Sequence, residues 1–86
     1  MPRVLVKFLA SVKDKVGRGA EEYELPDGST LSQLAVKLQA SHRLSLLDPA
    51  IMVTLNGKGI RQLSEGLETR LGEGDVILLF PLISGG

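Results

Sequence analysis

The chain has no cysteine and no tryptophan, and His42 is its single histidine. Without cysteine it can form no disulfide, ligate no iron–sulfur cluster through thiolates and offer no thiol nucleophile of its own. Any sulfur it handles has to arrive from elsewhere. Net charge is also missing, because ten basic residues balance ten acidic ones. No overall field then draws the chain to phosphate backbones or anionic lipid, so neither nucleic acid nor membrane is expected as a partner. No apolar run approaches the roughly 18 residues of a membrane span. Residues 1–9 carry Arg3 and Lys7 inside a short apolar run, which lacks the unbroken core of a secretion signal. A cytoplasmic location is expected.

What the chain does have is an ordinary globular composition, 43% hydrophobic and 23% charged over 86 residues. That length fits one domain sharing one core. Val4, Val6 and Phe8 alternate with Leu5, Lys7 and Leu9, which predicts a strand ending near Ala10. Residues 11–16 can form one or two helical turns before Gly17 and Gly19 release the chain. In 21–25, Tyr23 and Leu25 share one face while Glu22 and Glu24 point into water, giving a second strand antiparallel to the first.

Thr30 can cap a helix, with Gln33 placed to return the hydrogen bond of a capping box. Leu31, Leu34, Ala35 and Leu38 then form one apolar stripe over about three turns, and helical spacing fails by Ser41 and His42. Leu44, Leu46 and Leu47 are expected to plug the end of the core from a loop. Ile51, Val53 and Leu55 alternate with Met52 and Thr54 in a third strand, which ends at the hairpin signal Asn56-Gly57. Residues 59–61 can return as a short fourth strand, and the unbroken apolar run 76–80 reads as a central strand stopped by Pro81. The economical packing is a twisted mixed sheet with first and last strands side by side and one helix across a face. This is an α+β architecture, the β-grasp, over 1–80, followed by a tail over 81–86.

The tail, Pro81, Leu82, Ile83, Ser84, Gly85 and Gly86, carries no charged side chain and is too short for another element. Two terminal glycines arise by chance about 0.5% of the time at a glycine frequency of about 7%. Glycine lacks a Cβ, so Gly85-Gly86 can thread a narrow channel and leaves the terminal carbonyl open to attack. The α-carboxylate is ionised near neutrality and can attack the α-phosphate of ATP, giving an acyl-adenylate from which a sulfur nucleophile displaces the leaving group.

Other candidates have plainer readings. His42, just beyond a helix, favours the helix dipole or solvent over a metal. Gly57-Lys58-Gly59 lacks the spacing of a phosphate loop and belongs to a hairpin. Glu21, Glu22 and Glu24, like Glu65, Glu68 and Glu73, read as solvated acids, with Glu21 on the opposite strand face from the other two. No nucleophile–base pair and no metal site stands out.

Phe8-Leu9-Ala10, Val12, Val16-Gly17, Asn56-Gly57, Ile60, Leu63, Gly66-Leu67, Thr69, Leu71, Gly74-Asp75-Val76 and the ending from Phe80 to Gly86 resemble the MoaD/ThiS sulfur carriers. The molybdopterin-synthase small subunits of the MoaD type match best, over the whole chain, and the ending is the most specific part. The resemblance implies a β-grasp, adenylation of Gly86 by a ubiquitin-activating-type (MoeB-like) enzyme, and a C-terminal thiocarboxylate. It further implies that Pro81 to Gly85 thread into a MoaE-like large subunit, which holds the pterin precursor and supplies the catalytic side chains. Phe80, Leu9, Ile60 and Leu78 fall where the family's partner surface lies. The carrier itself is expected to need no cofactor and to hold no metal. Where the family commonly has a second proline, this chain has Leu82. Sister families serve thiamin or transfer-RNA thiolation or become attached to lysines, and a passive interaction module with a chance tail is the remaining reading.

Overall fold

The computed structural model describes residues 1–82. Its sheet has the order β2-β1-β5-β3-β4. Strand β1 (Arg3–Phe8) lies antiparallel to β2 (Ala20–Glu24) and parallel to β5 (Val76–Pro81). On the other side of β5, β3 (Ile51–Leu55) runs antiparallel and forms a hairpin with β4 (Lys58–Gly59). The first and last strands are therefore neighbours, as the pattern of the sequence predicts. This is the mixed five-stranded sheet with one main helix that defines the β-grasp.

Period-two alternation decides which side chains build the core. Val4, Val6 and Phe8 of β1, Val53 and Leu55 of β3, and Ile77 and Leu79 of β5 are buried on one face. Helix α2 (Leu31–His42) lays Leu31, Leu34 and Leu38 onto them, each with no exposed surface. Its start is the predicted capping box. The Gln33 N–H donates to Thr30 Oγ1 (3.4 Å), and the Thr30 N–H donates to Gln33 Oε1 (2.8 Å). The short helix α1 (Ser11–Val16) forms where one or two turns were expected, burying Val12 and ending at Gly17, whose φ is 86°.

Four local expectations need correction. Helix α2 does not stop before Ser41 but runs through His42, because His42 falls four residues after Leu38 and continues the inward stripe. It ends only at Arg43, where φ turns to 57° and the N–H bonds back to Gln39 O at 3.0 Å. In the following loop Leu44 and Leu46 are buried as plugs, but Leu47 is 75% exposed. Its N–H donates to Ser45 Oγ, a tight turn that carries the side chain outward. The fourth strand comes earlier than 59–61, since a 3-10 turn begins at Ile60 and Gln62 Oε1 accepts the Gly59 N–H. Finally, Pro81 does not end the ladder, as described below.

The predicted Asn56-Gly57 turn is present, with φ values of 50° and 89° as a primed hairpin turn requires. Asn56 also has a second task. Its Oδ1 accepts the Val76 N–H (2.9 Å) and its Nδ2 donates to Asp75 Oδ1 (3.0 Å), fixing where β5 starts.

Candidate functional site

Strand β5 is the element that carries the chain to its C-terminus. With β1 on one side and β3 on the other, it is the central strand of the sheet. Its side chains alternate: Ile77 and Leu79 have no exposed surface, while Val76, Leu78 and Phe80 are half-buried on the face away from α2. Pro81 lies inside the strand, opposite Ile51, and the Leu82 N–H donates to Ala50 O at 2.8 Å. The predicted stop at Pro81 fails because β1 ends at Phe8, opposite Leu79. No neighbouring strand on that side needs the N–H that proline lacks. Two residues of the expected tail are thus a held root, while Ile83, Ser84, Gly85 and Gly86 lie outside the described residues.

Three of the four predicted surface residues come together beside that root. Leu78 and Phe80 lie on the open face, and Leu9, 41% exposed, follows β1 with its N–H on Leu79 O. Leu5 and Met52 extend this apolar strip, the latter 36% exposed and directly opposite Phe80. Met52 is not among the residues the resemblance implies, although the alternation of 51–55 puts it opposite the core residues. Ile60 lies elsewhere. It packs half-buried against the core from the 3-10 turn and lines a groove of about 750 Å³ with Leu46, Leu47, Leu67 and Leu82, which Met52 joins to the open face.

His42, expected at a helix end or in solvent, is the last residue of α2, and with Glu21, expected in solvent, it forms a network behind β2. His42 Nε2 lies 2.6 Å from Glu21 Oε1, and the Tyr23 hydroxyl donates to the same oxygen at 2.8 Å. The side chains of Glu21 and His42 are each only 18% exposed, and the imidazole meets the Phe8 ring edge-on with centroids 5.7 Å apart. Burial acts to raise the Glu21 carboxyl, but hydrogen bonds from His42 and Tyr23 and the charges of His42 and Arg18 outweigh it and leave it below the ordinary value. Burial, then the bond to Glu21 and its charge, push Tyr23 up. The signal was present, since Glu21 falls on the Tyr23 face and His42 on the Leu38 stripe. Glu22 and Glu24 are solvated as expected, both beside Arg3.

Around the root of the tail, then, the described residues offer apolar contact and no catalytic constellation. Among them no group of three or more His, Asp or Glu side chains is placed to hold a metal ion. No helix is long and apolar enough to cross a membrane.

Residues 6–86 match the ThiS family, a match that includes both the open face and the glycine ending. The chain belongs to the ThiS family. Among curated proteins it is similar to small archaeal modifier protein 3 of Haloferax volcanii, 27% identical, with 94% of this chain and 96% of that one covered. A candidate molybdopterin converting factor subunit 1 from Pyrococcus furiosus has the same fold, with a TM-score of 0.80 at 24% identity, covering 96% of this chain and all of that one. The complex of subunits 1 and 2 of the molybdopterin-converting factor from Helicobacter pylori contains another similar chain. It has a TM-score of 0.67 and 25% identity, covering 98% of this chain and 99% of its own. The proteins it resembles thus include converting-factor subunits and a protein named as a modifier.

Proposed function

We propose that the chain is the sulfur-carrying small subunit of a molybdopterin-synthase assembly. The observation that carries this reading is the ThiS-family match over residues 6–86, which takes in Gly85-Gly86, together with a last strand held in place at Leu82. On this reading a Gly86 carboxylate oxygen attacks the α-phosphate of ATP inside an adenylating enzyme. The bond to the β-phosphate breaks and pyrophosphate leaves. A sulfide-level nucleophile then displaces AMP from the acyl carbon, leaving a thiocarboxylate. A large subunit takes the loaded tail, and the sulfur passes to the pterin dithiolene that will hold molybdenum or tungsten. Subunit 1 of the Helicobacter pylori factor is in complex with a subunit 2, which supports a two-subunit assembly here. These ATP-dependent steps belong in the cytoplasm. The β-grasp presents the tail, with Pro81 and Leu82 as its root, and Ile83, Ser84 and Gly85 as the threading segment.

Intact mass after incubation with ATP, a sulfur source and the adenylating enzyme tests this. The expected result is a rise equal to one oxygen-to-sulfur exchange at Gly86, abolished by deleting Gly86 or adding one residue after it. Activation that survives those changes overturns the mechanism.

The Haloferax volcanii relative favours a second reading, a ubiquitin-like modifier joined through Gly86 to lysines. Adenylation is common to both readings, so the product separates them: a branched peptide with Gly86 on a lysine Nζ marks the modifier. Sulfur transfer to thiamin precursors or transfer RNA shares the same loaded tail.

A further inference from the structure

We infer that Lys7 sets partner choice on the open sheet face, by requiring a carboxylate from the protein that docks there. The inference rests on the reading of that face as the docking surface for proteins that handle the tail. In β1, Val6 and Phe8 point into the core with no exposed surface, so the intervening Lys7 points the other way and is exposed. Strand register puts it beside Leu78 of β5, with Ala20 on its other flank and Thr54 beyond Leu78. Along the face it sits between Leu5 and Leu9. A lone ammonium thus stands within an apolar strip.

On this face the carboxylates of Glu22 and Glu24 lie beside Arg3 rather than within 4.0 Å of Lys7. Arg3 lies between Glu22 and Glu24, at 3.6 Å from the first and 3.9 Å from the second, at the far end of β1. Among the described residues Lys7 has no ion-pair partner within 4.0 Å. In the free protein water solvates the ammonium. A partner that covers Leu78, Phe80 and Leu9 also covers Lys7 and strips that water, which is unfavourable unless the partner supplies an opposite charge. A wholly apolar surface is therefore rejected, and a basic one more strongly. The apolar strip supplies contact area, and Lys7 selects a partner surface that carries an Asp or Glu within its apolar patch. Charge pairs of this kind also set orientation and speed association.

The test measures binding of the purified large subunit and the purified adenylating enzyme of the same organism by calorimetry at low and high salt. Lys7→Glu is expected to weaken at least one complex by about tenfold or more, and Lys7→Gln to weaken it less while flattening its salt dependence. Lys37→Glu on the exposed side of α2 should change neither, and Leu78→Ser should weaken binding without altering the salt dependence. Because Lys7 is exposed, amide NMR spectra should show each Lys7 variant folded. Binding by the wild type that Lys7→Glu leaves unchanged overturns the inference while the functional reading stands. Absence of any wild-type binding to either protein overturns both.

Discussion

The Leu82 N–H donates to the carbonyl of Ala50 at 2.8 Å, one residue beyond the proline that was expected to end the sheet. This bond ties Leu82, the last described residue, to the loop before β3. A proline at this position could not make it, because proline has no N–H. Leu82→Pro should therefore keep the fold and lose one hydrogen bond, about 0.5–1.5 kcal/mol of stability. Hydrogen exchange gives the direct measurement, since the Leu82 amide should be protected in the wild type. Exchange there at the unprotected rate would show that the root is not held.

Leu79 and Phe80 are neighbours in sequence with opposite tasks. Leu79 has no exposed surface and faces α2, so Leu79→Ala should cost about 2–5 kcal/mol through lost transfer energy and a cavity. Phe80 is half-buried on the open face, and Phe80→Ser should cost markedly less stability while weakening partner binding. Urea denaturation and a binding titration on both variants separate these effects. Equal losses of stability would mean that the face assignment of β5 is wrong.

The capping box of α2 provides a check independent of any partner. Thr30→Ala removes the oxygen that accepts the Gln33 N–H, and should cost about 1 kcal/mol. For a domain of this size that is a fall in Tm of about 4–8 °C. An unchanged Tm would show that water replaces the cap without loss.

How much of this was legible in the sequence depended on whether local pattern or tertiary contact decided the outcome. The alternation of Val4, Val6 and Phe8, the stripe Leu31, Leu34 and Leu38, and the Asn56-Gly57 turn each have one strong local solution. Together they leave few ways to build a core other than the β-grasp. The contacts of His42 are not legible, because a histidine at the end of an apolar stripe has no fixed partner until the chain folds. That partner, Glu21, lies 21 residues away and is brought near only by the folded sheet. The resemblance puts Ile60 beside Phe80, whereas the 3-10 turn places it in the groove with Leu46, Leu47 and Leu67. The chemistry was legible for a different reason. The expected chemistry rests on Gly85 and Gly86, whose missing side chains can be read from sequence alone and which lie outside the described residues.

The Glu21 carboxylate makes stability depend on acid. Its native pKa is depressed, so its contribution is present above the ordinary value of 4.5 and is lost as the pH falls through the lower native value. Urea midpoints compared at about pH 7 and about pH 3 should fall further in the wild type than in Glu21→Gln, which lacks the titrating group. Equal falls would mean that other carboxylates govern the acid limit.

Tyr23 reports on the same network from the alkaline side. Its phenol is held above the ordinary value of 10.0, first by burial and then by the hydrogen bond to Glu21 and the charge there. The neutral phenol is the form the fold prefers. Its contribution is therefore complete below the ordinary value and is lost as the pH rises through the raised one. The chain has one tyrosine and no tryptophan, so ultraviolet absorbance during alkaline titration reads Tyr23 alone. The expected midpoint lies above 10.0, until unfolding exposes the ring and lets it ionise. In Glu21→Gln the charge is gone but the burial remains. Since burial is the larger cause, the midpoint should fall toward the ordinary value without reaching it. His42→Ala should leave the Tyr23 bond to Glu21 in place and shift the midpoint less, while lowering stability through the lost contact with Phe8. A wild-type midpoint at the ordinary value would show that the Glu21, Tyr23 and His42 network does not close in solution.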